Sequence, residues 1–450
     1  MGREATRDLR LLSRGGAIFG YSEVALHLFE LVVLLGFGVI LATSLRARFA
    51  RAGVAAAVPV LVIGTYYATV GPVQLGQVES LIGIPLYLTL WCATRASGAH
   101  PRRWLLAAGI AGGAALVFKL VLAPVVVAIW LVAVIPVRHE ERRGRARRIL
   151  TTGTWLVVGA AIPMGAVVAY LAAHGQLETA RWTFFDVPRS ATAIAGRPLE
   201  RLLEGSAKTA ARWAIPLALA IFGVTVRARR GWDRFDVGLA AWVVIGIPVF
   251  LVQHWWIYQY SMFLVPIGVF AAYGIEALAD LVVRWTRPRR LALAGVAVVL
   301  AVPMGARVAS NALDLATHGL GVRASDRAAL RADIEPNYVE AEAWAAHLER
   351  MGETPGGVYV LGNPLNLYRA NRPQSVAING WSPEQYSAEV WQRLGRQIDA
   401  ARPTELVVDD FSAAIMRARA PAVLALIHRL YRTVGSSGQD TWYRVRSSAR

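Results

Sequence analysis

Over the first three hundred positions, apolar stretches alternate with short polar connections at spacings that suit a chain threading a membrane repeatedly. A crossing helix needs about 20 apolar residues, within a range of about 17 to 25. On that rule the sequence predicts spans at 24–45, 53–70, 80–94, 104–118, 120–137, 149–173, 213–226, 237–253, 261–283 and 291–306. The run from Trp104 to Val137 separates two possibilities. As a single helix it would be about 51 Å long, far more than one crossing requires. It therefore reads as a hairpin that turns at Lys119.

Every second connection is rich in arginine. The clusters are Arg46/Arg48/Arg51, Arg95/Arg102/Arg103, Arg138/Arg142/Arg143/Arg145/Arg147/Arg148, Arg227/Arg229/Arg230/Arg234 and Arg284/Arg287/Arg289/Arg290. Short loops this basic stay cytoplasmic, so the intervening hairpin tips are expected to meet on the outer face. Residues 1–23 then read as the remnant of a first extracytoplasmic loop, followed by a membrane domain over 24–306. Arg3, Arg7, Arg10 and Arg14 would resist translocation, which favours a further helix upstream of this chain.

After residue 307 the pattern changes. Strand-like runs at Gly357–Leu361, Leu406–Asp409 and Trp442–Val445 alternate with helical stretches near 338–350 and 384–400. They predict a small extracytoplasmic α/β domain over 307–450. The expected fold is thus an all-α polytopic membrane protein of about ten transmembrane helices, carrying this domain at its C-terminal end.

Composition agrees with a multi-pass cell-membrane protein: 55% of residues are hydrophobic, 17% are charged and the mean hydropathy is +0.42. The formal charge of +18 raises the question of nucleic acid. The excess arginine flanks apolar spans instead of covering a domain face, so no nucleic-acid partner is expected. Cys92, the sole cysteine, sits in an apolar run, which excludes a disulfide and a thiolate zinc site.

The hairpin tips hold the candidate chemistry. In the first, Gly71 and Pro72 end one helix, and Gln77 and Glu79 enter the next from its outer end. A carboxylate at that depth implies a hydrated cavity with a use for the acid; alternatively, it is an interfacial helix-start residue favoured by the dipole. Lys119 is one of two lysines in the chain. It suits an anionic headgroup, of bulk lipid or of a lipid-phosphate substrate, or it snorkels.

In the longest outer loop before the tail, Asp186 and Arg189 lie among aromatic residues. Leu199, Leu202 and Leu203 with Glu200, Arg201, Glu204 and Lys208 predict an amphipathic helix along the interface. At the last tip, Trp255 and Trp256 fit an aromatic belt, whereas His254, Tyr258 and Gln259 offer hydrogen bonds to a sugar or phosphate. In the tail, Asp409-Asp410 and Gly362-Asn363-Pro364 read as turns that follow strands.

Three stretches, taken in order, resemble the integral-membrane glycosyltransferases of the GT-C fold that use polyprenyl-phosphate sugars. These include protein O-mannosyltransferases, lipid A aminoarabinose transferases and actinobacterial mannosyl or arabinosyltransferases. The stretches are Phe19-Gly20-Tyr21-Ser22-Glu23 leading into a span, Gly76-Gln77-Val78-Glu79 followed by Phe118-Lys119, and His254 to Tyr260 followed by Phe263-Leu264-Val265-Pro266. The family carries a defining acid in its first outer loop; here the chain joins the pattern inside that loop, with Glu4 and Asp8 upstream of Phe19.

The resemblance implies a polyprenyl-phosphate-linked sugar donor, membrane lipid around it and an extracytoplasmic acceptor that is a glycan, a lipid or a protein. A carboxylate would deprotonate the acceptor, which inverts the anomeric carbon. Asp8 and Glu79 are the catalytic candidates, and Gln77, Lys119, Arg189, His254, Tyr258 and Gln259 the substrate-binding ones. No metal-ligating residue is assigned, and a divalent cation stays open as a cofactor. Two other readings remain: a non-catalytic membrane scaffold derived from this fold, and a lipid or sugar transporter.

Overall fold

A computed structural model describes residues 23–70, 78–98, 100–134, 142–186, 198–249, 257–284, 286–319, 322–335, 337–352, 356–372 and 374–446. Backbone contacts divide the chain into two compact units, one formed by Phe19–Phe184 with Arg197–Asn311 and the other mainly by Ala312–Arg450.

The first unit, over its described residues, consists of helices joined by short turns. Its helices are α1 (Glu23–Leu45), α2 (Ala52–Thr69), α3 (Val78–Arg95), α4 (Pro101–Phe118), α5 (Ala123–Val134), α6 (Arg142–Ala173), α7 (Pro198–Arg212), α8 (Ala214–Arg230), α9 (Arg234–Val249), α10 (Leu264–Arg284) and α11 (Arg287–Thr317). Each predicted span has its helix, and α7 is the predicted amphipathic one. It is bent by 93° from α8, as expected of a helix lying across the bundle. The hairpin at Lys119 is also present: α4 stops at Phe118, Lys119 is extended, and a 3-10 turn over Leu120–Leu122 leads into α5.

Two spans differ in extent from the prediction. Helix α6 starts at Arg142 and α11 runs on to Thr317. Arginine and alanine are strong helix formers, so helical propensity outlasts the apolar run at both places. By length and composition alone, α1, α2, α6 and the stretch Tyr258–Val282 suffice to cross a bilayer. Among the described residues, α5 with its 3-10 lead-in covers Leu120–Val134.

Small residues let the helices approach closely, which matters where hydrophobic burial gives no advantage over lipid. A Cβ on Gly223 would stand 1.9 Å from the carbonyl oxygen of Phe270, and one on Gly274 would stand 2.1 Å from that of Leu219. These two glycines set the α8–α10 crossing. Gly109 and Gly159 do the same between α4 and α6, where a Cβ would come within 2.3 Å and 2.4 Å of the Leu156 and Leu106 oxygens. Between these crossings Leu41, Leu86, Tyr87, Leu90, Phe235 and Trp242 are fully buried.

The arginine-bearing helix ends converge. Arg48 pairs with Asp233 at 2.8 Å, Arg51 with Asp280 at 2.8 Å, and Arg234 donates to the Ser97 hydroxyl at 2.5 Å. The Glu276 carboxylate accepts the Ala50 amide at 2.7 Å, and Arg227 holds the buried Asp236. The connections 46–51, 95–98 and 227–234 therefore share one end of the bundle.

The second unit contains a four-stranded sheet of order β1 (Val358–Leu361), β2 (Glu405–Asp409), β4 (Asp440–Val445), β3 (Tyr431–Ser437), with β1 and β2 parallel and the remaining pairs antiparallel. The three predicted strands are β1, β2 and β4. The fourth, β3, has the sequence Tyr-Arg-Thr-Val-Gly-Ser-Ser and is largely unburied beyond Tyr431, so it carries no apolar alternation. Hairpin pairing with β4 through the left-handed Gly438 (φ 53°) creates it.

Gly223→Leu is expected to lower the detergent-solubilised melting temperature by several degrees, because overpacking costs about 1–3 kcal/mol. Gly36→Leu, where nothing lies within 4 Å of the added Cβ, should leave it unchanged. Scanning fluorimetry on the two variants checks the crossing.

Candidate active site

At the end of the bundle away from the arginines, α2 delivers two tyrosines. Pro59 lacks a backbone donor, and the helix widens into a π-turn over Val60–Gly64 before resuming at Thr65. Tyr66 then donates its hydroxyl to Glu30 Oε1 at 2.5 Å, and Ser80 of α3 donates to the same oxygen at 3.4 Å. His27, one turn earlier on α1, places Nδ1 3.5 Å from the other oxygen. Glu30 is 2% exposed, and its hydroxyl partners are uncharged.

Ser80, one of this carboxylate's partners, directly follows a second acid in the chain. Glu79, in the first turn of α3, is buried and forms an ion pair with the Lys119 ammonium at the α4–α5 hairpin. Tyr258 lies within electrostatic reach of Glu79. It belongs to the 3-10 segment Ile257–Phe263, which packs on α3. Gln259 and Tyr260 in that segment are buried. The Tyr260 hydroxyl donates to the Leu202 carbonyl at 3.2 Å and lies 2.9 Å from the Ser206 hydroxyl, so α7 is tied over this end. Trp213, at the α7–α8 bend, donates its indole N–H to Thr69 at 2.9 Å.

This arrangement places the Glu79–Lys119 ion pair and a second carboxylate, Glu30, with Tyr66, Ser80 and His27 around it, at a single end of an apolar bundle. An ammonium has three donors, so Lys119 keeps two after meeting Glu79. A charge at membrane depth marks a functional site by default. Among the described residues, no three His, Cys, Asp or Glu side chains converge as they would to hold a metal ion.

The Dolichyl-phosphate-mannose-protein mannosyltransferase family matches residues 11–170, a stretch that contains Glu30, Tyr66, Glu79 and Lys119. Two crystal structures of ArnT from Cupriavidus metallidurans share the fold. The form bound to undecaprenyl phosphate superposes with a TM-score of 0.56 at 15% identity, and the apo form with 0.53 at 14% identity. Each comparison covers 97% of this chain and 86% of that one. The chain has the fold of these ArnT structures. No curated protein sequence matches the chain.

Of the residues expected at the GT-C site, Glu79, Lys119, Tyr258 and Gln259 come to this one end. Asp8, Gln77, Arg189 and His254 lie outside the described residues. Glu30 was not among the expected residues, although an acid inside the apolar run Leu28-Phe29-Glu30-Leu31-Val32 falls under the same rule that singles out Glu79.

In the tail, both turns are present. Asn363 Oδ1 accepts the Leu365 amide at 2.9 Å, and Asp409 caps the following helix, accepting the Ser412 amide at 2.6 Å. Asp440 lies beside them, pairing in register with Asp409 across β2 and β4. Burial pushes the Asp440 carboxyl up to about 6; the Asn366 amide, which donates to it at 2.8 Å, opposes the rise, and Glu340, Asp409 and Asp410 add to it.

Removing one member of the Glu79–Lys119 pair should destabilise more than removing both, since it strands a desolvated charge. Lys119→Met is expected to cost about 3–5 kcal/mol, with partial recovery in Glu79→Gln/Lys119→Met, read as melting temperatures. Asp440 has a folded pKa above its unfolded value. Its stabilising share is complete below about pH 4, is lost as pH rises through about 6, and stays lost above. Asp440→Asn should therefore raise tail protection by about 2–3 kcal/mol at pH 7.5 and by little at pH 4, measured against wild type by hydrogen exchange at each pH.

Proposed function

We propose that the chain transfers a sugar from a polyprenyl-phosphate donor to an extracytoplasmic acceptor, with inversion at the anomeric carbon. The arginine-bearing end faces the cytoplasm, following the preference of short basic loops, and the Glu30/Glu79/Lys119 end faces outward. Residues 24–306 form the membrane catalytic domain, and 307–450 an extracytoplasmic domain that orients the acceptor. The Lys119–Glu79 pair beside the Tyr66-bound Glu30 carries this reading. The undecaprenyl phosphate bound by ArnT, which shares the fold, supports it with a lipid phosphate.

In this mechanism Glu79 holds the Lys119 ammonium in place, and its remaining donors meet the donor phosphate. As the glycosidic bond breaks, negative charge grows on the departing phosphate, and a fixed cation offsets it without reorganisation. Tyr258 and Gln259 line the approach with hydrogen-bonding groups. The acceptor hydroxyl gives its proton to a carboxylate as its oxygen attacks, a contribution worth about 10²–10⁴ in rate. Asp8 and Glu30 are the carboxylates for that task. Glu79 is less suited, because its charge is already matched by Lys119.

The test is transfer from a panel of radiolabelled polyprenyl-phosphate sugars in isolated membranes. Lys119→Ala is expected to lower transfer by about 10²-fold, Glu30→Gln by about 10²-fold or more, and Glu79→Gln by a smaller factor because an amide still accepts from Lys119. Unchanged transfer in all three would remove these residues from the site. Absence of transfer from every donor by the wild type would favour the scaffold reading.

A further inference from the structure

The arginine-bearing end holds a second polar site that glycosyl transfer does not use. A cavity of about 420 Å³ opens there, lined by Arg48, Arg95 and Arg227 together with Trp91, Phe235 and Tyr273. Its lining comes from the ends of α1, α3, α8 and α9, from α10, and from the connections that carry Arg48 and Asp233.

The charges in this wall do not cancel. Arg48 and Arg227 face Asp233 and Asp236: Arg48 is 2.8 Å from Asp233 and 3.9 Å from Asp236, and Arg227 donates through Nε to Asp236 at 3.0 Å. Two cations are thus matched by two anions, and Asp233 itself lines the cavity. Arg95 is different. It is exposed, it meets no carboxylate among the described residues, and its guanidinium lies 4.3 Å from the Trp91 ring centre and 5.4 Å from that of Trp104. Stacked on two indoles, it is oriented before any ligand arrives. The Arg48 guanidinium is also braced, 4.0 Å over the Phe235 ring.

One unmatched, pre-oriented guanidinium beside two others, over aromatic walls at the end of a membrane bundle, suits a singly charged phosphate ester. We propose that this cavity binds the phosphodiester headgroup of an anionic glycerophospholipid from the leaflet at the arginine end. Arg95 provides the net attraction, Arg48 and Arg227 add donors, and Trp91 contacts the glycerol region. Basic pockets between helices on the cytoplasmic side hold such headgroups, and the planar fork of arginine matches phosphate oxygens.

The full chain in phosphatidylcholine nanodiscs, with and without phosphatidylglycerol, tests this by native mass spectrometry of retained lipid and by melting temperature. Wild type should retain phosphatidylglycerol and gain melting temperature from it. Arg95→Gln should weaken retention about fivefold and abolish the gain, while leaving the melting temperature in pure phosphatidylcholine unchanged. Arg230→Gln, at the same end but outside the cavity, should behave as wild type. Equal weakening by the two variants would reduce the effect to general surface charge and overturn the site. Inorganic phosphate that reproduces the gain without lipid retention would overturn the lipid assignment in favour of a soluble phosphate ester.

Discussion

An ionised side chain inside a low-dielectric bundle must be matched, because stranding it costs several kcal/mol. That constraint organises the membrane unit. Arg227 with Asp236, Arg48 with Asp233 and Lys119 with Glu79 each join residues on different helices or connections, so each pair also fixes how two parts of the bundle meet. Pairing does not place the charges evenly. Guanidiniums and their aspartates collect at one end, and at the other Lys119 stands with Glu79, near Glu30 with its Tyr66, Ser80 and His27 neighbours. The proposed chemistry rests on this asymmetry: one end carries the arginines, and the other an acid and a cation within the bundle.

Close helix approach holds those ends in register. The Gly223/Gly274 and Gly109/Gly159 crossings bring backbones together where any Cβ would collide with a carbonyl. Van der Waals packing at such points takes over the role that hydrophobic burial has in water. The bend between α7 and α8 then sets the amphipathic helix across the bundle, where Tyr260 fastens it. The end that holds Glu79 and Lys119 is thereby covered by α7.

Much of this was legible in the sequence. Arginine spacing and apolar length recovered each described membrane helix, and the excessive length of 104–137 forced the turn at Lys119. Helix limits were less legible at Arg142 and Thr317, where propensity and not hydropathy decides. In the tail, β3 was hidden because its partner strand, and not its own pattern, makes it a strand. The pairing of Glu79 with Lys119 was also hidden: the residues are 40 positions apart on successive hairpins, and only packing of α3 on α4 joins them. Glu30 was readable by the rule applied to Glu79, yet its hydroxyl partners, Tyr66 and Ser80, come from two other helices.

The most direct test asks on which side of the bilayer each end lies. On a Cys92→Ala background, single cysteines at Ser97, in an arginine-end connection, and at Gln176, after α6, would be labelled with an impermeant maleimide in intact cells. Modification of position 176 from outside, and of position 97 only after permeabilisation, is the predicted result. The reverse pattern would put Glu79 and Lys119 in the cytoplasm and contradict transfer to an extracytoplasmic acceptor.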